Sequence, residues 1–463
     1  MSVATQKPVQ FNYTEGSIYR ALFILALPAT ATTFIRSLHS IYDAWLIGHG
    51  TASHLAALTG ASFFLWMTYA FVQTISVGAN ALVARFVGAD KPEELSVTAL
   101  SALLGGGVFA VVLGVILFAL SSQVVSALGL AQETAEYAER YLRVLFLGLP
   151  AIYGYSIIEG IFRGTGDAKT PLFLLLALLV THFILAPLLA FGVLFIKPML
   201  LAGLATSMVI AHTIGCIAGS IILIRRRVIN RDLGLKIHLG WLWQMVRIGL
   251  PLAFAHAFFS GIYVGLARIV VLFGDPALAS LGVGHRVESI SYMTAVGFSQ
   301  ATAALVGQNL GAGKPERAES ATWKSAAVIS IFTGFVALVM LLFSVPLADF
   351  FTDDPKVIEY CSAYLEIVAI SQIAMGISIV LEGAFSGAGD TFIPMVIMIF
   401  TALIRLPLSY LLAMKMDIGV TGVFWVISGT TILACFFDIG WFLHGRWKIT
   451  LAKRLANKEV VAE

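Results

Sequence analysis

The chain has 463 residues, 59% of them hydrophobic and only 12% charged, with a net charge of +3 and a mean hydropathy of +0.91. A soluble domain carries about 25% charged residues because its surface faces water, so this composition describes an integral membrane protein. The small, scattered net charge excludes an electrostatic nucleic-acid surface, and the dispersed Cys216, Cys361 and Cys435 exclude a disulfide framework or thiolate metal site.

A helix crossing ~30 Å of hydrocarbon needs about 20 apolar residues. After a polar segment, 1–16, which lacks the apolar core of a signal peptide, twelve such stretches follow. They run over 18–47, 54–86, 96–121, 136–161, 170–194, 200–224, 241–273, 277–308, 318–344, 358–386, 393–414 and 418–444. Loops on one side hold eighteen Lys and Arg residues, from Lys7 and Arg20 to Arg454 and Lys458; the other side holds only Lys197, Lys356 and Lys415. This asymmetry predicts that both termini lie in the cytoplasm, as expected of a multi-pass protein of the bacterial inner (cell) membrane.

The longest basic loop, 225–240, lies at mid-chain, and the halves beside it match at a constant offset of 223. Pro28 pairs with Pro251, Gly88-Ala89 with Gly311-Ala312, and Lys91-Pro92-Glu93 with Lys314-Pro315-Glu316. EGIFRGTGD (Glu159–Asp167) pairs with EGAFSGAGD (Glu382–Asp390). Six spans per copy is an even number, so both copies enter the membrane from the same side, the parallel-repeat transporter plan. The expected organisation is a six-helix lobe over 17–224, a linker at 225–240, a second lobe over 241–445 and a cytoplasmic tail at 446–463. GTGD and GAGD lack the strand that precedes a phosphate loop. They read as tight turns, with Thr170-Pro171 capping the helix that follows the first.

Ionisable groups at membrane depth cost at least ~2.5 kcal/mol each unless paired or hydrated, and so mark function. Arg36, His39 and Asp43 share one face of the first span, about two turns beyond Pro28, whose missing N–H weakens or kinks a helix there. Together they suit a protonation-controlled switch; the plainer alternative is an ion pair that neutralises Asp43 against Arg36. Gln73, Asn80, Tyr153, Thr181, His182, Thr206, His256, Glu288 and Arg405 are candidates for lining a substrate cavity, with Glu288 and Arg405 placed to pair across spans. Glu159 and Glu382, at matching positions, are candidates for a gate or cytoplasmic vestibule, or simply hydrated helix-end carboxylates. No His, Cys or Asp cluster has metal-ligand spacing.

With these residues in view, the chain resembles the multidrug and toxic compound extrusion (MATE) transporters. The paired G-A-x-K-P-E and G-x-G-D motifs and the run VGQNLGAGKPERA (Val306–Ala318) carry the likeness over roughly 17–445. The resemblance implies an all-α integral membrane protein of twelve transmembrane helices in two six-helix parallel repeats. These form V-shaped lobes around a cavity that opens alternately to each side. It further implies export of amphipathic, usually cationic, compounds in exchange for H⁺ or Na⁺. YDAWLIG places the family's coupling carboxylate at Asp43, and the proline bend associated with its protonation at Pro28. The chain departs from the family at two further acids. HFILAP puts His182 and Ala186 where the proton-linked branch has Asn and Asp, and the acids of the sodium-linked branch fall near Phe259 and Met375.

The resulting expectation is an antiporter, not an enzyme, that acts as a monomer without cofactor. Asp43 is its coupling carboxylate, His39 and Arg36 set the proton affinity, and His182 and Thr206 are partners in the cavity. One carboxylate cannot hold a proton and a cationic substrate together, so binding of each releases the other. H⁺ is preferred over Na⁺, which wants several hard oxygen ligands. The alternatives are a flippase of lipid-linked sugars or an exporter of an anionic metabolite, reading the membrane-depth arginines as phosphate contacts. An intramembrane enzyme is disfavoured because Asp43 aligns with Leu266, leaving the repeat without a matching catalytic set.

Overall fold

The computed structural model describes residues 13–48, 52–126, 132–192, 197–234, 236–351 and 354–449. Sixteen α-helices follow one another: α1 (Ile18–Gly48), α2 (Ala52–Gly88), α3 (Pro92–Ala119), α4 (Ser121–Ser126), α5 (Gln132–Leu147), α6 (Leu149–Gly164), α7 (Lys169–Phe191), α8 (Leu201–Arg225), α9 (Leu239–Val270), α10 (Asp275–Gly311), α11 (Pro315–Leu342), α12 (Ser344–Asp349), α13 (Pro355–Ala369), α14 (Gln372–Ala388), α15 (Phe392–Tyr410) and α16 (Val420–His444). Among the described residues, nine are long and apolar enough to cross a bilayer singly. The pairs α5–α6 and α13–α14, bent by 55° and 57°, each make one more. The 37-residue α10 completes six spans per half; Arg286, Glu288, Gln308 and Asn309 make it too polar to be recognised alone.

The two bends fall within the spans expected at 136–161 and 358–386, at matching positions. At the first, Gly148 is followed by Leu149-Pro150, where proline removes a ladder donor. At the second, the Ser371 hydroxyl donates to Val368 O at 2.9 Å and competes with the helical ladder.

The duplicated glycine motif is a packing device. Gly160 on α6 lies against the Ser76 backbone of α2, and Gly383 on α14 meets the Ser299 backbone of α10. One turn on, Gly164 meets the Asn80 carbonyl and Gly387 meets Ala303. A Cβ at any of these would collide with backbone, so glycine permits the close approach. Gly166 and Gly389 adopt positive φ in the turns that follow. The expected cap at Thr170 moves to Asp167, whose Oδ1 accepts from the N–H groups of Lys169 and Thr170, both at 3.0 Å, while the Thr170 hydroxyl donates to Oδ2. Pro92 and Pro315 open α3 and α11 with acids in the first turn, as the K-P-E motifs predict.

The chain forms two compact units, and their limits differ from the expected break at 225–240. Among the described residues, one contains 13–14, 31–250 and 311–313; the other contains 15–30, 251–310 and 314–449. The basic linker stays with the first unit because it is tied down there. Arg226 pairs with Asp167, Asn230 N donates to Ser96 Oγ at 2.7 Å, and His238 N donates to Ser101 Oγ at 2.9 Å. Beyond it, Gly249 on α9 lies against the Thr74 backbone of α2. In the second unit the first half of α1 is held by Arg317, whose guanidinium donates to Glu15 O and Gly16 O. Phe23 meets Phe298 edge-on there, and Gly297 lies against Thr30. The division thus falls inside α1 just past Pro28 and inside α9 at Pro251. Both helices run unbroken through these prolines, so the weakening expected at Pro28 takes the form of a lost hydrogen bond rather than a break.

Candidate proton site and its counterpart

In the first unit, the inward face of α7 carries Leu175, Leu178, Leu179, His182, Ala186 and Ala190, all buried. His182 is therefore held among apolar side chains, and the sequence supplies its partners from two other helices. Its Nε2 lies 2.8 Å from Asp43 Oδ1 on α1, and its Nδ1 lies 2.9 Å from Ser207 Oγ on α8. Ser207 Oγ is also 2.7 Å from Leu204 O. Tyr42 closes one side, its ring edge-on to His182 and its hydroxyl donating to Phe183 O at 3.0 Å. Both Asp43 and His182 are buried, and Leu46, Ile47, Tyr141 and Ala186 form part of the surrounding core.

This chain of three groups can hold or release one proton without moving a heavy atom. With Ser207 donating to Leu204 O, Nδ1–H donates to Ser207, and the Asp43–His182 contact must itself contain a proton. With the Ser207 hydroxyl turned towards His182, Nδ1 accepts, Nε2–H donates to the Asp43 carboxylate, and the pair carries one proton fewer. The two hydrogen-bond arrangements differ by one proton. Sequence reasoning named Thr206; in the structure it is the adjacent Ser207 that meets His182. The Thr206 hydroxyl back-bonds to Ala202 O at 2.7 Å, and Thr181 does the same with Ala177 O at 2.8 Å.

Arg36 does not neutralise Asp43. It pairs with Glu159 on α6, accompanied by the Tyr69 hydroxyl, and Arg163 stands 3.7 Å from the other Glu159 oxygen. Glu159 is only 1% exposed, so instead of a hydrated vestibule carboxylate it is a buried anion held by two partly exposed arginines. Of the shared face expected on the first span, Arg36 and Asp43 thus take separate partners, and the side chain of His39 lies outside the described residues. Gln73 Oε1 accepts from Ser156 Oγ at 3.3 Å. Asn80 is buried beneath Gly164, and Tyr153 is fully buried in the core against Phe109.

In the second unit, His256 Nε2 lies 2.9 Å from Glu382 Oε1, with both side chains partly exposed. Glu382 matches Glu159, yet it meets an imidazole where Glu159 meets guanidinium groups. Glu288 accepts from Tyr364 Oη at 2.9 Å and Gln372 Nε2 at 3.2 Å. It does not pair with Arg405; among the described residues no ion pair joins them. Arg405, 3% exposed, donates from Nε to Thr430 at 2.8 Å and from its terminal nitrogens to Tyr263 and Thr431, each at 3.2 Å. Its guanidinium stacks on Phe259 at 5.3 Å. A fixed positive charge therefore sits over the position where the sodium-linked resemblance called for an acid, and Met375, at the other such position, is buried.

Comparison with known proteins agrees with this architecture. A family model described as MatE matches twice, over residues 28–188 and 251–411, in register with the internal repeat. The chain is 27% identical to a probable multidrug resistance protein NorM of Thermotoga maritima, over 93% of each chain. It is 24% identical to an FAD transporter of Shewanella oneidensis, over 91% of this chain and 94% of the relative. An outward-facing structure of a multidrug resistance MATE family transporter superposes with a TM-score of 0.85 at 19% identity, covering 95% of this chain and 97% of that one. The chain belongs to the MatE family: it is a multi-pass membrane transporter of small molecules, not an enzyme.

Proposed function

We propose that the protein exports amphipathic organic cations in exchange for H⁺ by alternating access, with the proton carried by Asp43 and His182. The observation that carries this reading is the Asp43–His182–Ser207 hydrogen-bond chain, buried in an apolar core. In its −1 state the pair attracts a cation; at ~4 Å and an effective dielectric of ~20 the attraction is about 4 kcal/mol, roughly a thousandfold in affinity. Adding the proton removes that attraction and releases the cargo. The imidazole against Asp43 supports H⁺ over Na⁺, since a sodium site wants several oxygen ligands. The eighteen-to-three distribution of Lys and Arg supports both termini lying inside, and the bacterial relatives support a bacterial cell membrane.

The test is uptake of ethidium into everted proteoliposomes under a pH gradient alone and a Na⁺ gradient alone. The reading requires transport to follow the pH gradient and to be lost in Asp43→Asn. Dependence on Na⁺ alone would reassign the coupling ion.

A second reading has its own support. Arg405 is a buried cation whose hydrogen bonds, among the described residues, all go to hydroxyls, and one relative is named an FAD transporter. Export of an anionic compound would use that charge, and movement of such a compound but not ethidium would favour it.

A further inference from the structure

α7 and α8 pack side by side, and each presents an apolar ridge outward. Phe173, Leu176, Val180 and Ile184 are exposed along α7; Ile210, Ile214, Ile217 and Ile221 are exposed along α8. Their spacings of three and four keep each set on one helix face. Each ridge ends in a cation at the same side of the membrane: Lys169 stands four residues before Phe173, and Arg225 four residues after Ile221. At this end lies a cavity of about 460 Å³, lined by Thr170, Phe173, Leu174, Ile222, Arg225 and Arg226, with Lys169 adjoining it in sequence at Thr170. Arg226 is already matched by Asp167. Among the described residues, Lys169 and Arg225 have no acidic partner, and both are exposed.

We infer that this groove binds an anionic phospholipid of the leaflet on the basic-loop side, its phosphate between Lys169 and Arg225 and an acyl chain between the two ridges. A free anion would use the cations but not the apolar walls, which continue for several turns beneath them. The second half of the chain lacks the arrangement. Phe392 stands where Lys169 would, and Lys448, the counterpart of Arg225, is paired with Glu319 at 2.6 Å. The groove is thus a property of this half and not of the repeat in general.

The purified protein in detergent is titrated with phosphatidylglycerol and with phosphatidylcholine of identical acyl chains, and retained lipid is counted by native mass spectrometry. Each juxtamembrane cation adds about 1 kcal/mol for an anionic lipid, so wild type should prefer phosphatidylglycerol by about tenfold or more. Lys169→Gln with Arg225→Gln should bring the two lipids to parity, whereas Lys356→Gln with Lys415→Gln, on the other side, should keep the preference. Equal retention by wild type, or a preference that survives the Lys169/Arg225 pair of changes, overturns the inference. Displacement by millimolar inorganic phosphate alone would also overturn it, showing a plain anion site. If the double variant does not purify, wild type decides: the preference must collapse in 1 M salt, and dihexanoyl phosphatidylglycerol must compete worse than the long-chain lipid.

Discussion

His182 and Arg405 stand at equivalent places in the two halves, and each bonds a hydroxyl from the last span of its own half. His182 lies 2.9 Å from Ser207, and Arg405 lies 2.8 Å from Thr430, the residue that matches Ser207 in the repeat. The third member is not duplicated: Asp43 corresponds to Leu266, which is fully buried in the second unit's core. In one copy this repeated hydrogen bond therefore belongs to an imidazole that also meets a carboxylate. The other carries a charge that is fixed at any physiological pH.

The first consequence concerns coupling. Asp43→Asn removes the negative state of the pair and should lower gradient-driven ethidium transport by at least about a hundredfold. His182→Gln keeps a hydrogen-bonding side chain but cannot take up a proton, so residual transport should no longer respond to the pH gradient. Initial rates in proteoliposomes at several internal pH values check both. Transport by His182→Gln that tracks the gradient like wild type would remove the imidazole from the mechanism.

The buried cluster on α1, α2 and α6 behaves differently. Arg36→Ala takes from the buried Glu159 its nearer arginine. Because the Arg36 side chain is itself only half-buried, the cost should fall at or below the lower end, about 3 kcal/mol, of the range for breaking a buried pair from one side. The expected result is a clear fall in melting temperature in detergent. Replacing Arg36 and Glu159 together with Met should recover most of it, because the unpaired charge disappears.

Arg405→Leu should destabilise by about 2–3 kcal/mol, through loss of three hydrogen bonds joining α9, α15 and α16 and of the stacking on Phe259. Unlike Asp43→Asn, it should leave the pH response of cation transport intact. If Arg405→Leu abolishes transport of an anionic compound that wild type moves, without a matching loss of folded protein, the second functional reading gains its residue.

Glycine packing gives a symmetric prediction. Gly160→Ala and Gly383→Ala each force a methyl group into a facing backbone, a cost of about 1–3 kcal/mol or more. The two variants should lower the melting temperature by similar amounts, since the same α6–α2 and α14–α10 crossings are affected. Gly107→Ala, where nothing lies within 4 Å of the new Cβ, serves as the neutral control.

The spans and the duplication were readable because hydrophobic length and a constant repeat offset are one-dimensional signals. The bends at Gly148 and Ser371 were not, since a bent apolar run has the same composition as a straight one. Spacing placed Arg36 and Asp43 on one helix face, but it cannot say which neighbouring helix offers a better partner. Glu159 captured Arg36, and His182 took Asp43. Ser207 was invisible because a mid-span serine normally bonds its own helix, and its second role depends on a histidine from the preceding one.

The exchange of half-helices limits how this protein can be taken apart. A cut in the basic loop would yield an N-terminal piece whose first helix begins with a segment belonging to the other unit, and a C-terminal piece with the reverse defect. Neither should be stable when made alone, while the two made together should reassemble.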